Sequence, residues 1–121
     1  MITLATLHKA TRQQVFDQMA EHLLAQNEVS INSDGNCSYR GTGKLMCAAG
    51  CLISDDEYSV TMEQNGWATL VNKGVVPSDH DGIIHAMQKV HDAFDAPTQW
   101  PEAIANVAKK FSLDLPRGLK K

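Results

Sequence analysis

The stretch SDHDGIIHAMQKVHDAFDAP, residues 78–97, carries the strongest structural pattern in the chain. Within it, large side chains recur at the spacing of one face of an α-helix. Proline cannot continue a helix and restricts the residue before it, so Pro97 ends the pattern. The stretch therefore predicts an amphipathic helix that buries one face in a core. The predicted buried stripe consists of Ile83, Ile84, Met87, Val90, His91 and Phe94.

Two more long helices are predicted on either side of this one. Thr11 and Gln14 have the spacing of a capping box, in which a hydroxyl and an amide satisfy two backbone N–H groups at the helix start. Helical spacing of apolar residues then extends over about 12–26. After Pro97, a last helix is expected with Pro101 in its first turn, where proline is tolerated. Its predicted buried face consists of Trp100, Ile104, Val107, Ala108 and Phe111.

Shorter elements are expected between the long helices. Ser54 and Glu57 form a second capping box, which predicts a short helix over about 55–64. Another short helix is expected over about 67–72, and the small apolar residues 47–53 predict a buried helical turn.

A small sheet is predicted from the turn-forming clusters at 33–36 and 41–43. These clusters flank residues 37–40, which are few enough for a single strand, with 29–31 and 44–46 as its expected neighbours. An isolated hairpin is only marginally stable in water, so this meander is expected to lie against the helices. The predicted fold class is α+β: mainly helical, with roughly four to five helices packed on a small antiparallel hairpin or meander.

The size and charge of the chain limit the classes of protein to which it can belong. Its 121 residues, 43% of them hydrophobic, are expected to form one globular domain over 1–121, with 113–121 as a loosely packed basic tail. The net charge is −3, and residues 54–102 alone carry nine acidic and two basic side chains. A nucleic-acid binder needs a basic face to neutralise phosphates, so nucleic acid is not an expected partner.

The sequence predicts a protein of the cytoplasm. Residues 1–8 have neither a basic start nor a continuous apolar stretch, so no export signal is expected. No run of about 20 apolar residues could span a membrane. Cys37, Cys47 and Cys51 are an odd number of cysteines, which favours reduced thiols in a reducing compartment.

The same three cysteines suggest a metal site as an alternative. With a histidine as fourth ligand they would supply thiolates to zinc, in a zinc-stabilised domain or a small metal-dependent enzyme. Their spacing, Cys-x9-Cys-x3-Cys, lacks the paired Cys-x2-Cys of zinc knuckles. The preferred interpretation is that they are small buried side chains and that the protein holds no metal or cofactor.

Patterns of catalytic residues are weak elsewhere. Two His-Asp pairs, at 80–81 and 91–92, have the order that metal phosphohydrolases of the HD type use. On a helix, however, His80, His85 and His91 point in different directions, because their spacings are not those of one face. A P-loop, a dinucleotide fingerprint and a nucleophile elbow are all missing from the sequence. We therefore expect a protein that is not an enzyme.

The remaining candidate is a recognition surface. Tyrosine, tryptophan and arginine are enriched in the hot spots of interfaces, and here they occur with a cluster of acids. The predicted binding residues are Tyr39, Arg40, Asp55, Asp56, Glu57, Tyr58 and Trp67. In the alternative interpretation, Tyr39 and Trp67 belong to the core and Arg40 pairs with one of the acids.

A motif in the middle of the chain carries a resemblance to a known group. Residues 37–41 read CSYRG, residues 47–58 read CAAGCLISDDEY, and Met62-Glu63 follows. With this motif and its helical ends, the chain resembles small proteins of unassigned function that tailed bacteriophages and prophages encode. In that group proline often stands at the position of Ser54, so the helix start there has different chemistry.

The resemblance implies a phage origin and a host bacterial cytoplasm, and it assigns no activity to any residue. Small phage proteins often act in host takeover or against host defence, which is an argument from association. We therefore expect a non-catalytic accessory protein that binds a host macromolecule, with a host protein as its partner. The alternatives are the zinc protein described above and a sponge that sequesters a nucleotide or another small signal. A homo-oligomer is an open alternative for its assembly.

Overall fold

A computed structural model of the protein describes residues 1–93, 96–116 and 119. Within these residues the chain forms four α-helices and a series of short 3₁₀ turns. The helices are α1 (Arg12–Gln26), α2 (Trp67–Asn72), α3 (Asp81–Ala93) and α4 (Trp100–Lys110). The main 3₁₀ turns are Leu7–Lys9, Thr42–Lys44, Ala49–Leu52, Val60–Met62 and Pro97–Gln99. No helix in the described ranges is long and apolar enough to cross a membrane.

Both predicted ends of α1 are confirmed. The Thr11 hydroxyl accepts a hydrogen bond from the Gln14 N–H at 3.1 Å, and the Gln14 side chain accepts one from the Thr11 N–H at 2.9 Å. At the other end, Asn27 has a left-handed backbone with φ of 52°, and its N–H donates to the Leu23 carbonyl. Local residues therefore define this helix at both ends: side chains satisfy backbone N–H groups at its start, and the left-handed backbone of Asn27 ends it.

The predictions for α3 and α4 are also confirmed in their main features. The buried stripe of α3 consists of Ile83, Ile84, Met87, Val90 and His91, and Phe94 lies outside the described residues. On the predicted face of α4, Trp100, Ile104 and Ala108 are buried. Val107 and Phe111, predicted to be buried as well, remain half-exposed beside the core.

The helices surround one apolar core with α3 near its centre. Helix α3 contacts α1, α2 and α4, and α1 also contacts α4 and the 3₁₀ turn Ala49–Leu52. Phe16, Met19 and Leu23 of α1 are completely buried in this core. Burial of each such side chain contributes about 1.5–3 kcal/mol to folding before conformational entropy is subtracted.

The predicted α+β class is wrong, because no strand or sheet occurs in the described part of the chain. The expected meander is reduced to a single antiparallel bridge between Ile31 and Cys37. The backbone N–H groups that would extend a ladder have other partners. The Ser30 N–H donates to His91 Nε2 at 2.9 Å, and the N–H groups of Tyr39 and Arg40 donate to the Glu63 carboxylate at 2.9 and 3.1 Å. The fold is therefore helical, with an irregular segment in place of the sheet.

The helix predicted over 55–64 is also wrong, although its capping box forms. Glu57 accepts from the Ser54 N–H at 2.9 Å and donates its own N–H to the Ser54 hydroxyl at 3.3 Å. The chain then becomes extended at Ser59 and starts a new 3₁₀ turn, Val60–Met62, which the Ser59 side chain caps. Val60 and Thr61 are β-branched and have low helix propensity, so nothing local extends the first turn.

Residues 37–66, hereafter the loop segment, contain two glycines that close packing requires. A Cβ atom on Gly41 would lie 2.8 Å from the Ile31 carbonyl oxygen. A Cβ atom on Gly50 would lie 2.5 Å from the Tyr39 carbonyl oxygen, which is backbone and cannot move aside cheaply. The absence of a side chain at this position lets two parts of the loop segment approach each other directly.

The predicted basic tail is described only at residues 113–116 and 119. The Asp114 N–H donates to Gln13 Oε1 at 2.9 Å, and Gln13 Nε2 donates to the Asp114 carbonyl at 3.1 Å. The Leu113 N–H donates to the Ala108 carbonyl at 2.8 Å. These bonds join the start of this segment to α1 and to the end of α4.

Candidate functional site

Glu63 holds together three of the seven residues that the sequence suggested for recognition. Its carboxylate accepts hydrogen bonds from the backbone N–H groups of Tyr39 and Arg40 and from the Tyr58 hydroxyl, the last at 2.5 Å. Burial and this bond to Glu63 raise the pKa of Tyr58 to about 12. Each of these bonds satisfies a polar group that the loop segment would otherwise leave without a partner.

Arg40 is also committed to contacts within the protein. Its guanidinium donates to the carbonyl oxygens of Gly50 at 2.9 Å and Ile53 at 2.5 Å. Its Nη2 atom also lies 3.3 Å from Asp55 Oδ1. It also sits over the Tyr58 ring, 5.0 Å from the ring centroid. Only 18% of the Arg40 side chain is exposed, so Arg40 acts as a cross-link between parts of the loop segment.

Glu57 connects the loop segment to the start of the chain. Its two oxygens accept from the N–H groups of Leu4 at 3.0 Å and Ala5 at 2.9 Å, in addition to the capping bond from Ser54. Burial alone would raise the pKa of Glu57, but these hydrogen bonds outweigh it and hold the pKa below its ordinary value. Of the three predicted acids, Asp55 and Asp56 are exposed, and Asp55 also bonds to Arg40.

Tyr39 and Trp67 lie in the core, as the alternative interpretation had it. They are 5% and 2% exposed, and their ring centroids are 6.5 Å apart. The Tyr39 hydroxyl donates to the Asn65 carbonyl at 2.6 Å, and burial raises the pKa of Tyr39. Trp67 Nε1 is buried and has no hydrogen-bond partner among the described residues. Neither ring is presented to a partner in this structure.

A second cluster adds Cys37 to the His91-Asp92 pair of the sequence analysis. Ligand-type atoms of Cys37, His91 and Asp92 all lie within 4.8 Å of one another. The spacing of these residues in the sequence did not predict this cluster. Cys37 lies beside α3 only because the folded chain forms the bridge between Ile31 and Cys37. The chemical types would suit zinc or a cysteine nucleophile with a histidine base.

The hydrogen bonds of His91 argue against both of those uses. A backbone N–H can only donate, so the bond from Ser30 makes His91 Nε2 an acceptor without a proton. The proton of the neutral ring is then on Nδ1, which donates to Asp92 Oδ1 at 2.8 Å. Neither nitrogen offers a lone pair to a metal or to the Cys37 proton while the Ser30 bond exists. His91 is a buried structural link that also stacks near Trp100, with 5.7 Å between ring centroids.

The other two cysteines do not complete a thiolate site. Within the residues that the structure describes, the cysteines do not assemble as one group of ligands, and no disulfide joins any of them. Burial raises the pKa of Cys47 and of Cys51 to about 12, so both are protonated thiols at neutral pH. Cys47 is a small buried side chain, as predicted, and Cys51 is half-buried beside the core. Cys37, which was also predicted to be buried, is exposed.

The surface between α3 and α4 is a further candidate. A groove of about 490 Å³ runs between these helices, and Gly82 lies at one of its ends. Its apolar floor is formed by Ala86, Val90, Ala93, Ala103, Val107 and Phe111. Its polar rim is formed by His85, Lys89, Asn106 and Lys110. Sequence reasoning assigned Val107 and Phe111 to the core, because a single sequence does not show which part of an apolar face a neighbouring helix covers.

Comparison of the chain with models of protein families, with curated proteins and with solved structures gives no match.

Proposed function

We propose that the protein is a non-catalytic accessory protein of the kind that phages encode, and that it binds a host protein in the bacterial cytoplasm. Host takeover or inhibition of a defence system is the role in which such binding would serve a phage. The proposal assigns the binding surface to the groove between α3 and α4 rather than to the aromatic and acidic residues of the loop segment.

One observation carries this proposal. The α3–α4 groove combines a partly exposed apolar floor with a basic rim, which is the anatomy of a surface that another protein covers. The competing residues support it indirectly. Arg40, Glu57 and Glu63 spend their hydrogen-bonding capacity on the protein's own backbone, and Tyr39 is buried.

The proposal is tested by affinity capture of the tagged protein from a bacterial host lysate, followed by native mass spectrometry. We expect one host protein at a fixed stoichiometry. We expect its loss with the groove variant Lys89→Glu/Lys110→Glu and its retention with the matched control Lys73→Glu/Lys109→Glu. The two variants change the net charge equally, and all four lysines are exposed.

Three results would overturn the proposal. A bare mass without a host protein would remove the binding function. A mass increment equal to zinc would favour the metal protein. A nucleotide bound to the purified protein would favour the sponge, and its stabilising effect would appear as a rise in melting temperature.

A further inference from the structure

We propose that the α3–α4 groove binds an amphipathic α-helix whose apolar stripe is flanked by aspartate or glutamate. This inference rests on the proposed function and specifies the partner's chemistry at the surface named there. It follows from three properties of the groove: its length, the small size of its floor residues, and the sign of the charges on its rim.

The groove has the length and direction of a helix-binding site. Helices α3 and α4 run antiparallel, since a Cβ on Gly82 at the start of α3 would lie 3.8 Å from the Phe111 ring at the end of α4. The lining residues of α3 extend from Gly82 to Ala93, which corresponds to about 16 Å along a helix axis. A partner helix presents an apolar stripe over the same distance in about three turns.

The floor has room for large side chains from a partner. Ala86, Ala93 and Ala103 place only methyl groups between the two helices, whereas Val107 and Phe111 provide larger apolar walls. Phe111 is half-buried, so part of its ring is available to a partner. Leucine or phenylalanine at helical spacing on the partner would fill such a floor, as in other helix-in-groove complexes.

The rim is basic in a chain that is acidic overall. Lys89, Lys110 and His85 line the groove, and none of its lining residues within the described part of the chain is an aspartate or a glutamate. Two cations lie near the Phe111 ring: the Arg12 guanidinium carbon is 5.7 Å and Lys110 Nζ 5.9 Å from its centroid. The net charge of the chain is nevertheless −3. Acidic flanks on the partner would complement this local basic rim and would guide its approach.

A protein helix suits this groove better than a nucleic acid. Two lysines and a histidine are few for a surface that must neutralise several phosphates. Among the lining residues that the structure describes, only Phe111 is aromatic, so this part of the groove lacks a row of rings on which successive bases could stack. An aliphatic floor is instead what an apolar helix face requires.

The test is an NMR titration of the full-length ¹⁵N-labelled chain with three defined probes. The first is a helical peptide of about 14 residues with leucines on one face and glutamates on both flanks of that face. The second is the same peptide with every glutamate replaced by lysine. The third is a single-stranded oligonucleotide of similar length.

We expect the acidic peptide to shift the amide signals of α3 and α4 along the groove and to saturate. We expect the basic twin to bind at least about tenfold more weakly. Lys89→Glu/Lys110→Glu is expected to weaken binding of the acidic peptide about tenfold and to improve binding of its twin. Lys73→Glu/Lys109→Glu is expected to change both affinities less than about twofold.

Four results would overturn the inference: equal binding of the two peptides, shifts confined to another surface, tighter binding of the oligonucleotide, or no binding of any probe. Failure here is distinguishable from failure of the proposed function. Suppose that a host protein is captured by the wild-type chain and lost with the groove variant, while the acidic peptide does not bind. The proposed function would then stand, and the acidic helix would be rejected as the partner's binding element. If the acidic peptide binds but no host protein is captured, the groove's preference for an acidic helix would stand and the proposed function would be rejected.

Discussion

The loop segment and the α3–α4 pair use the same kinds of polar side chain for opposite purposes. In the loop segment the backbone has few internal partners, so Arg40, Glu57 and Glu63 supply them and are no longer available to a ligand. In α3 and α4 the helices satisfy their own backbone, so Lys89 and Lys110 remain exposed. Residue type alone therefore does not indicate a binding surface; what matters is whether the neighbouring backbone needs the side chain.

The largest expected effect is a loss of stability when a polar side chain of the loop segment is removed. Arg40→Ala removes the donors to the carbonyls of Gly50 and Ile53 and leaves those groups unsatisfied in a largely buried place. We expect a loss of about 2–4 kcal/mol in the free energy of unfolding, measured by urea denaturation. The control is Asp55→Ala: the Asp55 side chain is 98% exposed, so its loss should cost less than about 0.5 kcal/mol. Equal stability of Arg40→Ala and wild type would return Arg40 to the candidate binding residues.

A similar but somewhat smaller loss is expected where Ser30, which precedes the loop segment, contacts α3. His91→Leu fills the same place in the core with an apolar side chain but deprives the buried Ser30 N–H of its acceptor. The expected loss is about 2–3 kcal/mol, again from urea denaturation. His85→Leu on the exposed face of the same helix serves as control and should leave the free energy of unfolding nearly unchanged. A wild-type value for His91→Leu would show that Ser30 finds another acceptor.

A smaller effect is expected at Glu57, where it also depends on pH. Because the native pKa lies below the ordinary value of 4.5, the unfolded chain takes up the proton first as the pH falls. The stabilisation is therefore complete above that ordinary value and disappears as the pH drops through the native pKa. Glu57→Gln should cost about 1–2 kcal/mol at neutral pH, since an amide group then faces N–H donors. It should also flatten the decline in unfolding free energy below about pH 4.5. If the unfolding free energy of Glu57→Gln declines below about pH 4.5 as steeply as that of the wild type, other carboxylates cause the decline.

The smallest effect on stability is expected in the groove. Lys89→Glu/Lys110→Glu alters two exposed side chains of helices whose backbone is internally bonded. Lys110 is in the last turn of α4 and near the Phe111 ring, so we expect the free energy of unfolding, obtained from thermal melting, to fall by about 1 kcal/mol or less. A large loss of unfolding free energy would mean that these lysines stabilise the fold as Arg40 does. The contrast between the two regions would then disappear.

The sequence predicts the long helices well because their determinants are local. The capping box of Thr11 and Gln14, the stripe of α3 and the position of Pro101 all act within a few residues. The sheet was predicted wrongly because the decisive partners are distant in sequence. Ser30 bonds to His91, which is 61 residues away, and Tyr39 bonds to Glu63, which is 24 residues away. No turn pattern or propensity carries that information.

The candidate sites were less predictable than the helices, and for related reasons. The sequence correctly offered burial of Tyr39 and Trp67 as an alternative to binding, but burial depends on contacts that spacing does not reveal. The α3–α4 groove depends on how two helices lie against each other. Its signal in the sequence is weak: alanines at 86, 93 and 103 on faces that otherwise carry larger apolar residues.

The contacts around Glu63 also change what the central motif of this chain can be used for. Tyr39, Arg40, Gly50, Tyr58 and Glu63 all belong to that motif, and each is in contact with another member of the group. The motif thus holds the loop segment together, in the way that a disulfide pattern holds a small secreted domain together. Substitutions within it are expected to lower the stability of the fold, whereas the outer faces of α3 and α4 can change without breaking these contacts. The motif therefore indicates a shared scaffold rather than a shared partner.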